Sequence, residues 1–383
     1  MIHRPKILYL MAGEPSIFGG GKRVFMQLMT YLNKDEFQFY SCCAFDKEQE
    51  DFLSKQGGKI VHIDIQYGGF WCSIKKLVNL LKEEKIDIVH SQGARADFYS
   101  RVATKLTGQK TKNISTVAML VEGYDVGILR KKVYCTLDRF SERYVDKFTV
   151  VSDALKEKLI ATHSIPERKI ETIYNGIELQ QYRTYDSDKS SKEIRKEFGV
   201  DDKELVVGII GRMVWQKGFE YLIESIPEII ETLPQSKIII VGDGPLLEKL
   251  KSLSQELELG KNIIFTGFRS DIKEILSAVD LLVVPSLLEG FPMVTLEAMA
   301  MAKPIVATNI DGITEQITDG VDGILVPPKN PSVLAKAVLR VLNDKELAKT
   351  MGVAARKKVE QYFSVEKMVA KTEQVYSSLL KAD

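Results

Sequence analysis

Two successive α/β units, each on a parallel sheet, are predicted by three features of the 383-residue chain. Short apolar runs bounded by glycine or proline recur with helix-sized segments between them, the pattern of buried parallel strands joined by crossover helices. The length exceeds the need of one ordinary α/β unit, and a hydrophobic content of 45% can fill two cores. The sharpest polar shift, RTYDSDKSSKEIRKEFGVDDKE at 183–204, reads as a linker leading into a short helix. Together these place a first domain at 1–180 and a second at 181–364.

In order, KILYLM (6–11) is a buried-type strand running into a loop with Gly19, Gly20 and Gly21, after which VFMQLMTYL has helical spacing. Further strands are expected at 38–45, 59–65, 86–90, 113–118 and 147–151, as in a doubly wound sheet, with the domain closing near Glu178. The second unit offers six strands: LVVGIIG (205–211), KIIIVG (237–242), NIIFTG (262–267), DLLVVP (280–285), PIVAT (304–308) and GILVP (323–327). An amphipathic segment from Val365 to Leu380, part of 365–383, is expected to cross back to the first domain.

Lys plus Arg at 53 against Asp plus Glu at 52 leaves a formal charge of +1, which argues against a nucleic-acid binder. The balance hides a basic N-terminal half. Arg130, Lys131 and Lys132, followed by Tyr134, Leu137 and Phe140 at helical spacing, suit either an anionic lipid or acceptor surface, or a solvated helix packed through its apolar side. Cys42, Cys43, Cys72 and Cys135 include no Cys-x-x-Cys pair and read as reduced, mostly buried thiols. The opening MIHRPKILYLMAGE is too brief for a signal-peptide core and no run approaches the ~18 apolar residues of a membrane span, so a cytoplasmic protein is expected, any attachment being peripheral on the inner membrane face.

The chemistry concentrates in PSLLEGFPMVTLEAMAMAKP (285–304). Glu289 falls in a loop with Gly290 and Pro292, whereas Glu297 lies about two turns into a helix opening near Pro292. A carboxylate accepts hydrogen bonds from a vicinal diol, and the helix's first turn offers unpaired N–H groups to an anion, so diol plus phosphate suggests a nucleotide sugar. Upstream, the strand ending at Gly211 leads into RMVWQKG, whose Arg212 and Lys217 precede another helix and suit a pyrophosphate. GDGP (242–245) and TGFR (266–269) put further glycines at strand ends, where a flat base can approach backbone. Neither unit carries the full G-x-G-x-x-G fingerprint. Asp186 and Asp188 form an Asp-x-Asp within the polar segment and read as solvated linker, so no metal site is assigned.

The chain as a whole resembles the retaining glycosyltransferases of the large family four (glycosyl transferases group 1), through GGGKRVFMQL, VSDALKEKL, YNGIE, GRMVWQKG, VGDGP, FTGF, VDLLVVPSLLEGFPMVTLEAMAMAKPIVAT and DGITEQITDGVDGILV in that order. The resemblance implies a GT-B fold, two Rossmann-like parallel-sheet domains facing a central cleft, with the first on the acceptor side and the second binding the donor. It implies that Arg212 and Lys217 contact the donor pyrophosphate, Glu297 the ribose diol and Glu289 a sugar hydroxyl. Gly290 and the backbone of Phe291, Pro292, Met293 and Val294 would meet the sugar. Gly19 and Gly20 would approach the phosphates, with Gly211, Gly242 and Gly244 around the nucleotide and Phe268 and Arg269 near the base. It further implies front-face transfer with retained configuration and charge stabilisation of the leaving diphosphate as the main catalytic work. Neither metal nor other cofactor is implied beyond a nucleotide-sugar donor, most simply a UDP-sugar, and the acceptor would be a glycan or lipid-linked saccharide of a bacterial surface-polysaccharide pathway.

One departure stands out. Many relatives carry a histidine after the strand matching ISTV, where this chain has Ala118 and Met119. His90 at the end of DIVHSQ is either cleft-lining or structural, and Glu122 or Tyr124 of VEGYD can stand in as a sugar contact. A donor-binding scaffold without turnover, a sugar-nucleotide epimerase and a nicotinamide-dependent oxidoreductase are the alternatives. The last lacks its G-x-G-x-x-G, and an epimerase needs acid and base groups but no acceptor.

Overall fold

The computed structural model describes residues 4–13, 19–123, 127–183 and 185–381. Its contacts separate into two compact units, one running to Gly176 and resuming at Val365, the other comprising Ile177–Ser364.

In the first unit β1 (Lys6–Met11), α1 (Gly20–Tyr31), β2 (Gln38–Cys43), α2 (Lys47–Lys55), β3 (Lys59–Ile60), α3 (Phe70–Glu83), β4 (Ile88–Gln92), α4 (Ala94–Thr107), β5 (Lys112–Val117), α5 (Ile128–Ser141), β6 (Lys147–Val150), α6 (Asp153–His163) and β7 (Ile170–Thr172) alternate along the chain. The strands form a seven-stranded parallel sheet in the order β3-β2-β1-β4-β5-β6-β7. Strand order reverses between β1 and β4, which opens a crevice at their carboxyl ends. Fully buried Leu8, Leu10, Val89, Leu77 and Leu81 fill one side of this sheet.

The second unit holds α7 (Gln180–Arg183), α8 (Ser187–Glu197), β8 (Val206–Ile210), α9 (Phe219–Thr232), β9 (Lys237–Val241), α10 (Leu247–Glu256), β10 (Ile263–Gly267), α11 (Ile272–Ala278), β11 (Leu281–Val284), α12 (Met293–Ala300), β12 (Ile305–Thr308), α13 (Ile313–Gln316), β13 (Ile324–Val326), α14 (Pro331–Asn343) and α15 (Lys345–Tyr362). Its six-stranded parallel sheet runs β10-β9-β8-β11-β12-β13, reversing between β8 and β11. Alternate strand residues Val207, Ile209, Ile238, Ile240, Leu281 and Val283 pack against Phe219, Leu222 and Ile226 of α9 and Val338 of α14. The helix α16 (Val365–Lys381) belongs to the first unit, where it packs on α1.

Three local readings change. The segment expected as a strand over 59–65 pairs only at Lys59–Ile60, because the chain then turns away through Asp64, whose carboxylate accepts from the backbone of Gln66 and Tyr67. β7 is a polar three-residue edge strand with no apolar run to announce it. The polar segment holds the short helix expected of it, α8, but Asp186 and Asp188 belong to that helix and not to solvated linker: Asp186 caps it by accepting from the Lys189 N–H at 3.1 Å, Asp188 sits in its first turn, and buried Ile194 lies on the face that packs against α11. Two of the cysteines, Cys42 and Cys43, are buried, whereas Cys72 is exposed.

Candidate functional site

In the second unit the loops that leave β8 and β11 emerge side by side at the carboxyl edge of the sheet, because these strands are paired neighbours at the reversal. The β8 loop passes Gly211 and Arg212, makes one turn of 3-10 helix over Trp215–Lys217, and enters α9 through Gly218 in the left-handed region at φ 62°. A Cβ on Gly218 would fall 2.1 Å from the Pro285 carbonyl, so glycine there lets the two loops touch. The Gln216 carbonyl accepts the Leu287 N–H at 2.7 Å, joining them again.

This apposition brings Lys217 to Glu289. The ammonium donates to Glu289 Oε1 at 2.6 Å, and the Ser286 hydroxyl donates to the same oxygen at 2.8 Å. Ser286 is held in turn, its carbonyl accepting from Thr308 Oγ1. The Glu289 side chain is 9% exposed and that of Lys217 28%, so the pair sits at the edge of solvent. Gly211 lies against the Lys217 stem, 3.8 Å from where its Cβ would be. Arg212 is exposed, and among the described residues no carboxylate pairs with it.

Glu297 lies in the second turn of α12 and is 5% exposed, not a solvated helix charge. Before it, Gly290, Phe291 and Pro292 are buried, Phe291 packing edge-on against Phe363 at 5.2 Å, while Met293 and Val294 open the helix half-buried. Gln316 Nε2 donates to the Pro292 carbonyl at 3.0 Å, which fixes the approach to α12. The first-turn N–H groups of α12 have no side-chain cap.

The glycines of GDGP have a different cause from the one expected. A Cβ on Gly242 would meet the Gly211 carbonyl oxygen at 1.9 Å, and one on Gly244 the Met213 carbonyl oxygen at 2.6 Å. Met213 N–H donates to the Asp243 carbonyl at 2.8 Å, closing the two loops on each other. Close packing of backbone on backbone therefore accounts for both glycines without a base stacked on them. Phe268 is an exposed ring, but Arg269 is committed elsewhere: its guanidinium bridges Asp271 at 2.8 and 2.5 Å and Glu197 on α8. That guanidinium reaches a base only by giving up those carboxylates.

In the first unit Gly19 caps α1 with its backbone alone, and Gly20 and Gly21 form the helix's first turn. A Cβ on Gly21 would sit 2.9 Å from Gln92 Nε2 at the end of β4, placing this turn at the β1/β4 reversal. His90 is a core residue. Its Nδ1 faces Tyr376 Oη and its Nε2 faces Thr116 Oγ1, each at 2.6 Å, and Tyr376 continues to Tyr9 Oη at 2.9 Å. Burial pushes the imidazole pKa down to about 3, so it stays neutral, and neither ring nitrogen is left for a ligand.

Ala118 and Met119 line a cavity of about 250 Å³ beneath the β5 carboxyl end, shared with Arg101, Asp138, Glu142 and His163. Arg101, 1% exposed, pairs with Asp138 at 2.6 Å. His163 Nδ1 contacts Glu142, and Glu122 is drawn to Arg139 at 3.2 Å and to His163 Nε2 at 3.5 Å. The Glu122 carboxylate is thus engaged within its own unit, and Tyr124 lies outside the described residues. Asp138, Glu142 and His163 bring ligand-type atoms within 4.8 Å of one another, a cluster the sequence reading missed although Asp138 and Glu142 are spaced i, i+4 across the end of α5, which Glu142 caps. Arg101 already neutralises Asp138, so the cluster is knit by internal pairs.

Each unit is a parallel α/β sheet with a reversal in strand order, and the second carries a cation and a carboxylate at that reversal, where sheets of this class bind nucleotides. The family model for Glycosyl transferases group 1 matches residues 190–358, and that for Glycosyltransferase Family 4 matches residues 18–181. UDP-Gal:alpha-D-GlcNAc-diphosphoundecaprenol alpha-1,3-galactosyltransferase of Escherichia coli is 31% identical over 315 residues, covering 80% of this chain and 79% of its own. The capsular polysaccharide biosynthesis glycosyltransferase CapM of Staphylococcus aureus is 28% identical over 372 residues, 92% of each chain. Among solved structures, Anabaena Alr3699/HepE in complex with UDP-glucose superposes with TM-score 0.84 at 23% identity, covering 97% of this chain and 99% of that one. The chain belongs to glycosyltransferase family 4 and is a glycosyltransferase of the GT-B fold class.

Proposed function

We propose that the protein is a retaining, metal-independent hexosyltransferase that moves a sugar from a UDP-sugar to a glycan or lipid-linked saccharide in bacterial surface-polysaccharide synthesis. The observation that carries this is the Lys217–Glu289 pair at the β8/β11 switch point, with exposed Arg212 beside it. Lys217 and Arg212 neutralise the donor diphosphate. Lys217 and Ser286 both donate to Oε1 of Glu289, so Oε2 is the oxygen offered to a sugar hydroxyl. Glu297 accepts the ribose diol, with the uncapped N–H groups of α12 near the phosphate side.

In the reaction, an acceptor hydroxyl oxygen bonds to the anomeric carbon on the face from which the diphosphate departs. The carbon–phosphate-oxygen bond breaks as this happens, its electron pair goes to the diphosphate, and the hydroxyl proton passes to a diphosphate oxygen. The protein's part is charge stabilisation and orientation, so no side-chain base is required. The relatives support the choice of donor and acceptor: the Escherichia coli enzyme is named for UDP-Gal and a diphosphoundecaprenol-linked sugar, and CapM for capsular polysaccharide. No helix among the described residues is long and apolar enough to cross a membrane, so we read any association with the inner membrane face as peripheral.

The test is hydrolysis of UDP-, GDP- and ADP-sugars with EDTA present, comparing the protein with Glu289→Ala and with Arg212→Ala/Lys217→Ala. Release of UDP from one donor, unaffected by EDTA and lost in both variants, is expected. Loss of turnover on chelation overturns metal independence, and equal release by the variants overturns the assignment of these residues. Binding without release from any donor, persisting when acceptor saccharides are added, would point instead to the scaffold reading.

A further inference from the structure

We propose that Gln316, on the short helix α13, is a positioning residue for the donor sugar: it fixes the backbone of Gly290, Phe291 and Pro292 between Glu289 and α12. This rests on the reading above that these residues meet the sugar, and deepens it by naming what sets them in place.

The three residues are each held by a different neighbour. A Cβ on Gly312, at φ 79° in the turn before α13, would fall 2.1 Å from the Gly290 carbonyl oxygen. Phe291 packs edge-on against Phe363, and Gln316 Nε2 donates to the Pro292 carbonyl at 3.0 Å. The first two are contacts of shape, which limit how closely the neighbours approach. The third is directional and fixes where a carbonyl points. At either side the chain is anchored separately: Glu289 by Lys217 and Ser286, and α12 by buried Leu296, Ala298 and Met299. What is left for Gln316 to set is the stretch between them.

Gln316 is fully buried, and its Oε1 finds no partner among the described residues. An orphaned buried acceptor opposes folding and offsets much of the bond that Nε2 makes. An apolar side chain of the same length would remove that orphan, while leaving the Pro292 carbonyl without the amide. The two effects roughly cancel, so the amide adds little to stability. What it adds is a fixed carbonyl. The support is itself firm, because Ile313 and Ile317 are buried on α13 and just beyond it, and Asp322 ties the next turn by accepting the Thr318 N–H at 2.7 Å and pairing with Lys358 at 3.2 Å. The nucleotide side rests on other contacts, Gly218 against the Pro285 carbonyl and the Gln216 carbonyl to Leu287. Loosening Pro292 should therefore cost the sugar its placement and leave the nucleotide bound.

The experiment compares the full chain with Gln316→Met, which keeps the length and removes the donor, and with Gly312→Ala, which displaces the same stretch through Gly290. Thermal melting, UDP affinity by calorimetry, kcat for UDP-sugar hydrolysis and deuterium uptake of the amides of residues 289–294 without any ligand are measured. Gln316→Met should melt within about 3 °C of the wild type and bind UDP unchanged. Its kcat should fall roughly ten- to a hundredfold, with faster uptake confined to 289–294. Gly312→Ala should show the same split between kcat and UDP affinity. Undiminished hydrolysis by Gln316→Met, a parallel loss of UDP affinity, or unchanged uptake would overturn the proposal. A wild type that hydrolyses no UDP-sugar counts against the transferase reading instead, and uptake alone then decides whether Gln316 sets this stretch.

Discussion

Replacing Lys217 by methionine keeps the length of the side chain and removes the cation that Glu289 faces. Glu289 is then a largely buried carboxylate holding, among the described residues, only the Ser286 hydroxyl. Hydrogen bonds to charged groups are worth about 1.5–3 kcal/mol, and the partial exposure of Lys217 favours the lower half of that range. In a domain of about 150–250 residues each kcal/mol moves the melting temperature by roughly 2–4 °C, so Lys217→Met should lower it by roughly 3–8 °C. Adding Glu289→Gln removes the orphaned charge while a side-chain oxygen can still accept from Ser286, and the double variant should recover most of the loss. Donor turnover should be lost in both. The chain has two tryptophans, Trp71 and Trp215, one in each unit. In a Trp71→Phe background, fluorescence-detected melting therefore follows Trp215, two residues from Lys217. A single variant that melts with the wild type, or a double variant no more stable than the single, would refute the reasoning.

Gly242→Ala puts a Cβ 1.9 Å from the Gly211 carbonyl oxygen at φ 131°, so the β8 loop must move; urea unfolding should show a loss of about 1–3 kcal/mol and titration calorimetry a weakened nucleoside diphosphate. Gly260→Ala, with open space at its Cβ, is the control and should stay within about 0.5 kcal/mol. Glu297→Gln should weaken UDP binding about tenfold, roughly 1.4 kcal/mol, while the binding of inorganic pyrophosphate stays unchanged; equal effects on both ligands would remove Glu297 from the ribose. His90 has a folded-state pKa of about 3 against an ordinary 6.5, so its contribution is present above pH 6.5 and is lost as pH falls toward 3. Between pH 7 and pH 5 that loss is about 2 kcal/mol, and His90→Gln should flatten the wild-type stability profile by this amount in urea titrations. Buried Asp97, raised to about 6, works in the opposite direction over the same window, so the difference between the two proteins is the quantity to read.

Most strands were legible because each is a run of Val, Ile and Leu closed by glycine or proline, and β1 begins and ends where KILYLM does. Where that signal is weak the reading failed, as at β7, which is Ile-Glu-Thr; α8 was expected as a short helix, but it buries so little, chiefly Ile194, that Asp186 and Asp188 passed for linker. The residue types around the candidate site were visible in the motifs, but the contact between Lys217 and Glu289 joins positions 72 apart in sequence. The capture of Arg269 by Glu197 depends on α8 forming at all. His90 illustrates the same gap, since its partner Tyr376 lies 286 residues away and no local pattern announces it. The glycines of GDGP were noticed for the right property, close approach, although the approaching group is the neighbouring loop.

The return of α16 to the first unit bears on the order in which the molecule can be assembled during synthesis. Residues 177–364 form a contiguous unit whose two ends meet, Ile177 N–H donating to the Phe363 carbonyl at 2.9 Å. That unit can close as soon as it has been translated. The unit translated before it still lacks Tyr376, which fills space beside Tyr9, Phe37 and His90 and is itself fully buried. The usual N-to-C order of domain maturation is thereby inverted, and the half made first waits for the helix made last.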